Sequence, residues 1–463
     1  MEDQCVITRK ITVAGGVFAP GHLGELTQVL DFALVDAVAQ ETATVQKRVR
    51  LLPTRVVVFF VLALALFEKS AYRQVWGKLV AGLDGVVLAW PSVSALTRAR
   101  RRVGPKPLRA LFDAVSGPVA RPSTPGVFWR GLRLTAIDAT SLHVPDSARI
   151  GAGYRKRSGD RLTFGYPLLR LSVLVECGTR ALIGAVFGPE ADGETVHAQR
   201  LLHKLGAGML LLADAGYDSW RLLAEVAATG AQYLCRSGAR RTPLILRALP
   251  DGSYLSVLGY GKLKVRIVEA WITVTYADGS VHAEQWRLLT SLLDHTRYPA
   301  GELVALYHRR WQVETTYFSI KCTILDGRVL RSDRPADIDQ EVYALLTVYQ
   351  AIVRIAVDAL TSHADADPDR ISFTAAIEAA RDQVTAATGI LPATPVSLIG
   401  AIGRAVLGTL LPAIRQRIKA RSRKNPTSKY SPNAGKFPQT TQRYTLNTQV
   451  MIMEDGLTAR SHR

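Results

Sequence analysis

A chain of 463 residues exceeds what one hydrophobic core holds, and an apolar content of 48% excludes a chain disordered throughout, so two or three globular domains are expected. Lys and Arg outnumber Asp and Glu by 58 to 39, and the resulting net charge of +19 and isoelectric point near 10.0 favour a polyanionic partner, nucleic acid first. Cys5, Cys177, Cys235 and Cys322 show no paired spacing, which excludes a cysteine-built zinc site and a disulfide framework.

The opening residues, MEDQCVITRK, carry acids before bases and lack the apolar stretch of a secretory signal, so a cytoplasmic protein is expected. From about His22 to Ala81 the runs LGELTQVLDFALVDAVAQ and VVVFFVLALALFEKSAYRQVWGKLV predict helices with few strand signals. The apolar run from Val56 to Phe67 falls well short of the roughly 20 residues that cross a bilayer, and it reads as a buried helix. Ser92 then caps a basic helix, ALTRARRRVG, which Gly104 and Pro105 stop, and a short helix follows from Leu108 to Val115. Helix, turn and helix with Arg100, Arg101 and Arg102 suit DNA, although a solvated basic face on a structural helix explains them equally well.

The Pro- and Gly-rich stretch VARPSTPGVFWRG predicts a linker. Beyond it, LRLTAI (132–137), YPLLRLSVLVE (166–176), ALIGAVF (181–187), GMLLLAD (208–214) and QYLCR (232–236) are β-favouring runs, with helices predicted on either side of GMLLLAD. Three strands, helix, strand, helix, strand is the order of an RNase H-like α/β sheet. From Arg240 to about Leu293 two strands joined by an Asp-Gly turn predict a β-rich insertion. Helical periodicity resumes, with one helix expected over roughly 301–323 and another over 337–360, and beyond Ala413 the chain becomes basic and rich in Ser, Pro, Asn and Thr, a composition that predicts partial disorder.

The expected architecture is therefore α/β: a helical N-terminal domain (1–120), an RNase H-like core (128–237 and 297–362) interrupted by the insertion (238–296), and a basic C-terminal region (363–463). Within it, Asp138 after LRLTAI and Asp214 at the end of GMLLLAD sit at predicted strand ends, where α/β sheets place ligand sites. Each alone reads as readily as a turn former, and Asp218, before SWRLLAEVAA, reads as a helix cap. In the helix YHRRWQVETTYFSIK, Tyr307, Arg310, Glu314 and Lys321 fall within about 60° of arc at about 100° per residue. A solvated face with an Arg310–Glu314 pair is the plain alternative, worth a few tenths of a kcal/mol.

The Tyr-x2-Arg-x3-Glu-x6-Lys spacing resembles the signature of the insertion element 4 family of bacterial DDE transposases. AIDAT resembles that family's segment around its first acid, LLLADAGYDS the segment around its second, and VLRSDRPADIDQEVYALL the segment after the signature; residues from about Val17 to Val115 resemble its N-terminal domain. The resemblance implies that Asp138, Asp214 and Glu314 are catalytic and bind metal, and that Tyr307, Arg310 and Lys321 contact transposon-end DNA. It implies cut-and-paste transposition at terminal inverted repeats, with double-stranded DNA as both donor end and target, and a homodimer pairing two ends.

Three hard carboxylates without Cys or His suit two Mg²⁺ or Mn²⁺ ions, which can polarise a phosphoryl oxygen and activate water or a 3′-OH. Arg310 and Lys321 offer charge to phosphates, Thr140 suits orienting Asp138, touching the backbone or, equally, a plain turn hydroxyl, and His143 and His308 read as surface or DNA-contacting residues. Trp271 and Trp286 suit either core packing or stacking on an extruded base. RARRR (98–102), YRKRSGDR (154–161) and RQRIKARSRK (415–424) suit the DNA backbone or a solvated surface. A stand-alone RNase H-like nuclease and a non-catalytic DNA-binding repressor remain as alternatives.

Overall fold

The computed structural model describes residues 19–48, 50–83, 87–158, 163–238, 241–276, 278–361, 363, 366–387 and 399–412, and in the tail 417–419, 425–426, 432–433 and 441–450. The first residues and most of the two basic clusters YRKRSGDR and RQRIKARSRK lie outside these or are described only in part.

Five helices open the chain: α1 (Phe32–Glu41), α2 (Thr54–Leu66), α3 (Tyr72–Val80), α4 (Val93–Val103) and α5 (Lys106–Val115). Every residue of α2 except Arg55 is buried, as an apolar run without a polar face demands. The predicted Ser92 cap is in place, accepting from Ala95 N at 3.2 Å, and Gly104 leaves α4 with φ +67°. These helices form one continuous hydrophobic cluster with α10 (Pro335–Leu360), α11 (Phe373–Thr385) and α12 (Gly400–Gly408). By length and hydropathy α10 could cross a membrane, yet 83% of its apolar window is buried inside the protein, which makes it the central core helix.

The stretch predicted as a linker is clamped. Gly117 N donates to Leu182 O at 2.8 Å, and Val119 N and Ala120 N donate to the fully buried Glu176 carboxylate at 3.1 and 3.0 Å. Arg133 pairs with the same carboxylate. Pro and Gly mark irregular backbone correctly; buried partners decide whether that backbone is loose.

The basic residues of α4 divide by burial. Arg100, expected at DNA, is 3% exposed and donates to Gln340 Oε1, Tyr72 OH, Ser332 Oγ and Asp337 O at 2.6–2.7 Å, with Glu341 3.8 Å away. It is a strut between α4 and α10, since a buried guanidinium must spend its donors on protein acceptors. Arg101 is exposed and pairs with Asp337 at 3.4 Å, and Arg102 is exposed and donates to Leu52 O at 2.7 Å.

Arg331 makes a second strut, donating to Leu64 O in the last turn of α2, to Glu68 O and Ser70 O beyond it, and to Glu68 Oε2 at 2.8 Å. Burial pushes the Glu68 carboxyl up to about 7; Arg331 pulls it down and Glu341 adds to the rise. A carboxyl whose folded value is raised contributes stability that is fully present below its unfolded value and is lost as pH rises through the folded one. Melting temperature is therefore expected to fall between about pH 5 and pH 8, and Glu68→Gln to flatten that slope; an unchanged slope in the variant would show that other groups set it.

The central sheet contains β1 (Leu132–His143), β2 (Leu168–Glu176), β3 (Leu182–Pro189), β4 (Met209–Ala213), β5 (Gln232–Arg236), β6 (Tyr254–Leu258), β7 (Leu263–Tyr276), β8 (Val281–Thr290) and β9 (Thr441–Val450), with α6 (Glu194–Leu201) and α7 (Trp220–Ala228) between the strands that flank β4. The order runs β9, β7, β8, β5, β4, β1, β2, β3, and β6 pairs with one end of β7. β1, β4 and β5 are parallel, while β2 and β3 run antiparallel to their neighbours. The β-rich insertion continues this sheet, because β8 pairs with β5 from Leu288 to Thr290. Part of the tail expected to lack structure also joins it, as β9 pairs with β7 along Ala270–Tyr276. Only a partner strand far away in sequence could show that.

Candidate active site

β1 pairs in parallel with β4 from Arg133↔Met209 to Ala136↔Leu212, so Asp138 and Asp214 each lie two residues past the last pair and come side by side. Asp138 is not at a strand end as expected. β1 runs on to His143 against β2, with Asp138 opposite Val173; only its pairing with β4 ends before Asp138. Asp214 also fills the turn-forming role, accepting from Gly216 N at 2.9 Å where the chain enters the short helix Ala215–Tyr217. An added Cβ on Gly216 would lie 2.9 Å from Glu194 Oε2 and 3.1 Å from Asp214 Oδ1, so a fourth carboxylate borders the site from the first residue of α6. Glu194 pairs with Arg170 at 3.8 Å. Sequence reading missed it because it precedes no motif and follows no strand directly.

The segment predicted as one helix over 301–323 is helical from 300 to 324 but not uniform. α8 (Ala300–Tyr307) tightens into a 3₁₀ turn at His308–Trp311, continues as α9 (Gln312–Phe318) and widens into a π turn at Ser319–Ile324. π turns concentrate at functional sites. Two tyrosines register it on the sheet. Tyr307 is 3% exposed and donates to Ala213 O, next to Asp214, at 3.0 Å, which places it under the site rather than at a DNA surface as expected. Tyr317, which the spacing did not single out, donates to the carbonyl of Asp138 at 2.6 Å and accepts from Val173 N at 3.2 Å. Tyr317→Phe leaves a buried carbonyl without its donor, a loss of about 1–3 kcal/mol. Cleavage is expected to fall roughly tenfold with the far-ultraviolet circular dichroism unchanged, and an unchanged rate would deny Tyr317 a positioning role.

Arg310 ties the two halves together. Its guanidinium, 11% exposed, lies 3.4 Å from Asp138 Oδ2 and 3.3 Å from Glu314 Oε1. Burial raises the Asp138 carboxyl to about 6; the Ala139 N–H and Arg310 pull it down, while Asp214 and Glu314 push it further up. Burial lowers Arg310, but Tyr307 and the three carboxylates Asp138, Asp214 and Glu314 outweigh it and leave the guanidinium above its ordinary value. Lys321 Nζ reaches Thr140 Oγ1 at 3.1 Å, two residues along the same face of β1 as Asp138.

Among the described residues no three Asp, Glu, His or Cys side chains are drawn together tightly enough to grip an ion. Arg310 lies between Asp138 and Glu314 instead, and Asp214 stands beside Asp138. Oxygen-donor carboxylates around a bound cation fit a hard divalent metal by charge and by donor type.

The tryptophans separate. Trp286 is 8% exposed and packs edge-on against Tyr307 at 5.3 Å, whereas Trp271 is 42% exposed. His308 stacks on Trp286 at 5.1 Å and burial lowers its pKa, and His143 lies against Tyr166 at 5.9 Å, so neither imidazole belongs to the acid cluster.

Comparison with known proteins agrees in chain order with this arrangement. Residues 20–113 match the family model for the insertion element 4 transposase N-terminal region, and residues 129–351 match the model for the transposase DDE domain. The chain is 29% identical over 365 residues to Escherichia coli K12 "Transposase InsG for insertion sequence element IS4", covering 76% of this chain and 80% of InsG. It is 31% identical over 131 residues to InsZ of the same organism, which carries a transposase name, covering 28% and 44% of the two chains. A cryo-EM structure of a piggyBac transposase synaptic complex with hairpin DNA aligns with a TM-score of 0.40 and 10% identity over 84% of this chain and 85% of that one. With both parts of one family matched, the chain belongs to the insertion element 4 family of DDE transposases, the DNA-cleaving enzymes of insertion sequences.

Proposed function

We propose that Asp138, Asp214 and Glu314 are the catalytic carboxylates of this transposase and the ligands of two Mg²⁺ or Mn²⁺ ions, in an RNase H-like core. The observation that carries this is Arg310, a cation set between Asp138 and Glu314 at 3.4 and 3.3 Å, with Asp214 beside Asp138 where β1 and β4 stop pairing. The strand order β3, β2, β1, β4, β5 with β1, β4 and β5 parallel supports the fold reading.

Family membership brings divalent-metal chemistry on DNA with it. When bound, the ions would supply polarisation of the phosphoryl oxygen and activation of water or a 3′-OH. The protein's own part is to hold the three carboxylates through Tyr307 and Tyr317 and to meet backbone phosphates with Arg310 and Lys321. The N-terminal helices would recognise the element's ends with the exposed Arg101 and Arg102, Trp271 would face DNA from the insertion, and two copies would pair two ends in the bacterial cytoplasm at the nucleoid.

The test is incubation of the protein with Mg²⁺ and DNA carrying the element's terminal inverted repeats. Excision at the repeats and joining of the freed 3′ ends to target DNA are expected. Cleavage without joining would favour a nuclease, and binding without cleavage a repressor.

A further inference from the structure

Resting on the assignment of Asp138, Asp214 and Glu314 as metal ligands, we propose that Arg310 is the site's internal counter-ion, which divalent metal must displace and which DNA phosphate draws away. Metal loading is thereby coupled to DNA binding.

Asp138 and Asp214 lie side by side where β1 and β4 stop pairing, Glu314 shares Arg310 with Asp138, and burial at Asp138 removes the water that would screen their repulsion. Without a cation they would protonate or separate. Arg310 supplies the cation from one turn before Glu314, and the tight turn at His308–Trp311 aims it at Asp138. Its contacts of 3.4 and 3.3 Å are longer than the roughly 2.7–2.9 Å of a tight charge-assisted hydrogen bond. The guanidinium is therefore placed without being locked, and its planar set of donors matches a phosphate as well as it matches a carboxylate.

A guanidinium does not deprotonate, so it can vacate the position only by moving. A dication entering beside it meets like charge in a poorly screened pocket. If phosphate takes Arg310 outward, the same carboxylates are left for metal. By linkage, metal must in turn strengthen DNA binding by the same factor. Metal then loads poorly until DNA is in place.

The full chain without DNA tests this, with Mn²⁺ binding followed by the paramagnetic resonance signal of the free ion. Arg310→Ala is expected to bind Mn²⁺ about tenfold more tightly than wild type, within the usual range of coupling between two sites. It should also melt at a lower temperature than wild type without metal and gain more from saturating Mn²⁺. Equal or weaker Mn²⁺ binding by the variant would overturn the proposal. Arg310→Lys keeps the charge but bridges less well, so it guards against misfolding of the alanine variant; its affinity should fall between the two, and affinity no higher than wild type would overturn the proposal.

Conversely, Mn²⁺ should tighten the grip of wild type on a random-sequence duplex more than that of Arg310→Ala, in which only direct contact between metal and phosphate remains. A metal effect of equal size in both would overturn the coupling. Glu314→Gln is the control for the underlying assignment: Mn²⁺ binding should be lost in the wild-type and Arg310→Ala backgrounds alike. Binding retained in both would overturn the metal-ligand reading itself, separately from the role of Arg310.

Discussion

Asp138→Asn and Glu314→Gln are each expected to abolish metal-dependent nicking of inverted-repeat DNA while DNA binding persists. Both changes keep the shape and remove the charge. In Asp138→Asn the amide oxygen could still accept from the Ala139 N–H, which Asp138 holds at 2.8 Å, so β1 should keep its course. What is lost is an anionic ligand for a hard cation, and metal stabilisation of developing charge is worth several kcal/mol, so the rate should fall roughly 10³-fold or more. Without divalent metal, DNA affinity should hold or rise slightly, since one negative charge near the phosphates is gone and Arg310 has one competitor fewer. Single-turnover nicking and gel retardation on the same preparations separate the two effects. Nicking at the wild-type rate by either variant would end the assignment.

Arg331→Ala is expected to cost about 3–5 kcal/mol of folding stability, because it breaks a buried ion pair and leaves its partners uncompensated. The side chain donates to three backbone carbonyls around the end of α2 and to the Glu68 carboxylate, which is 4% exposed, and Glu341 stands 4.0 Å from its Nε. Removing it strands those carbonyls and two buried carboxylates at once. Against a total of roughly 5–15 kcal/mol for a domain, that is a large share. The N-terminal helices, which this contact ties to the segment before α10, should be the first to become protease-sensitive. Thermal unfolding with limited proteolysis reads the outcome, and a melting temperature within a degree of wild type would show that the network is dispensable.

Much of the site was legible because its chemistry is local in sequence. The spacing from Arg310 to Glu314 put a base and an acid on one face, and the structure brings their side chains to 3.3 Å. GMLLLAD was read as a strand ending in Asp214, and β4 ends one residue earlier, at Ala213. Tyr307, Tyr317 and Arg100 were not legible in their actual roles. A tyrosine under the site and one on its rim have the same sequence signature, and an arginine in a basic run looks solvated until three of its partners, 232 to 240 positions away, are known. Glu194 escaped for the same reason, since only the packing over Gly216 places it beside Asp214.

The sequence by itself determined the elements and their order: apolar runs and their period set helices and strands, caps and glycines ended them, and charge named the partner class. Strand register, the continuation of the sheet through the insertion and the tail, and the division of basic residues into buried struts and exposed grips were decided only by tertiary structure. The reason is physical. Local propensity depends on neighbours within a few positions, whereas burial and pairing depend on which distant segment arrives, and a polar side chain takes its role from the partner that satisfies it.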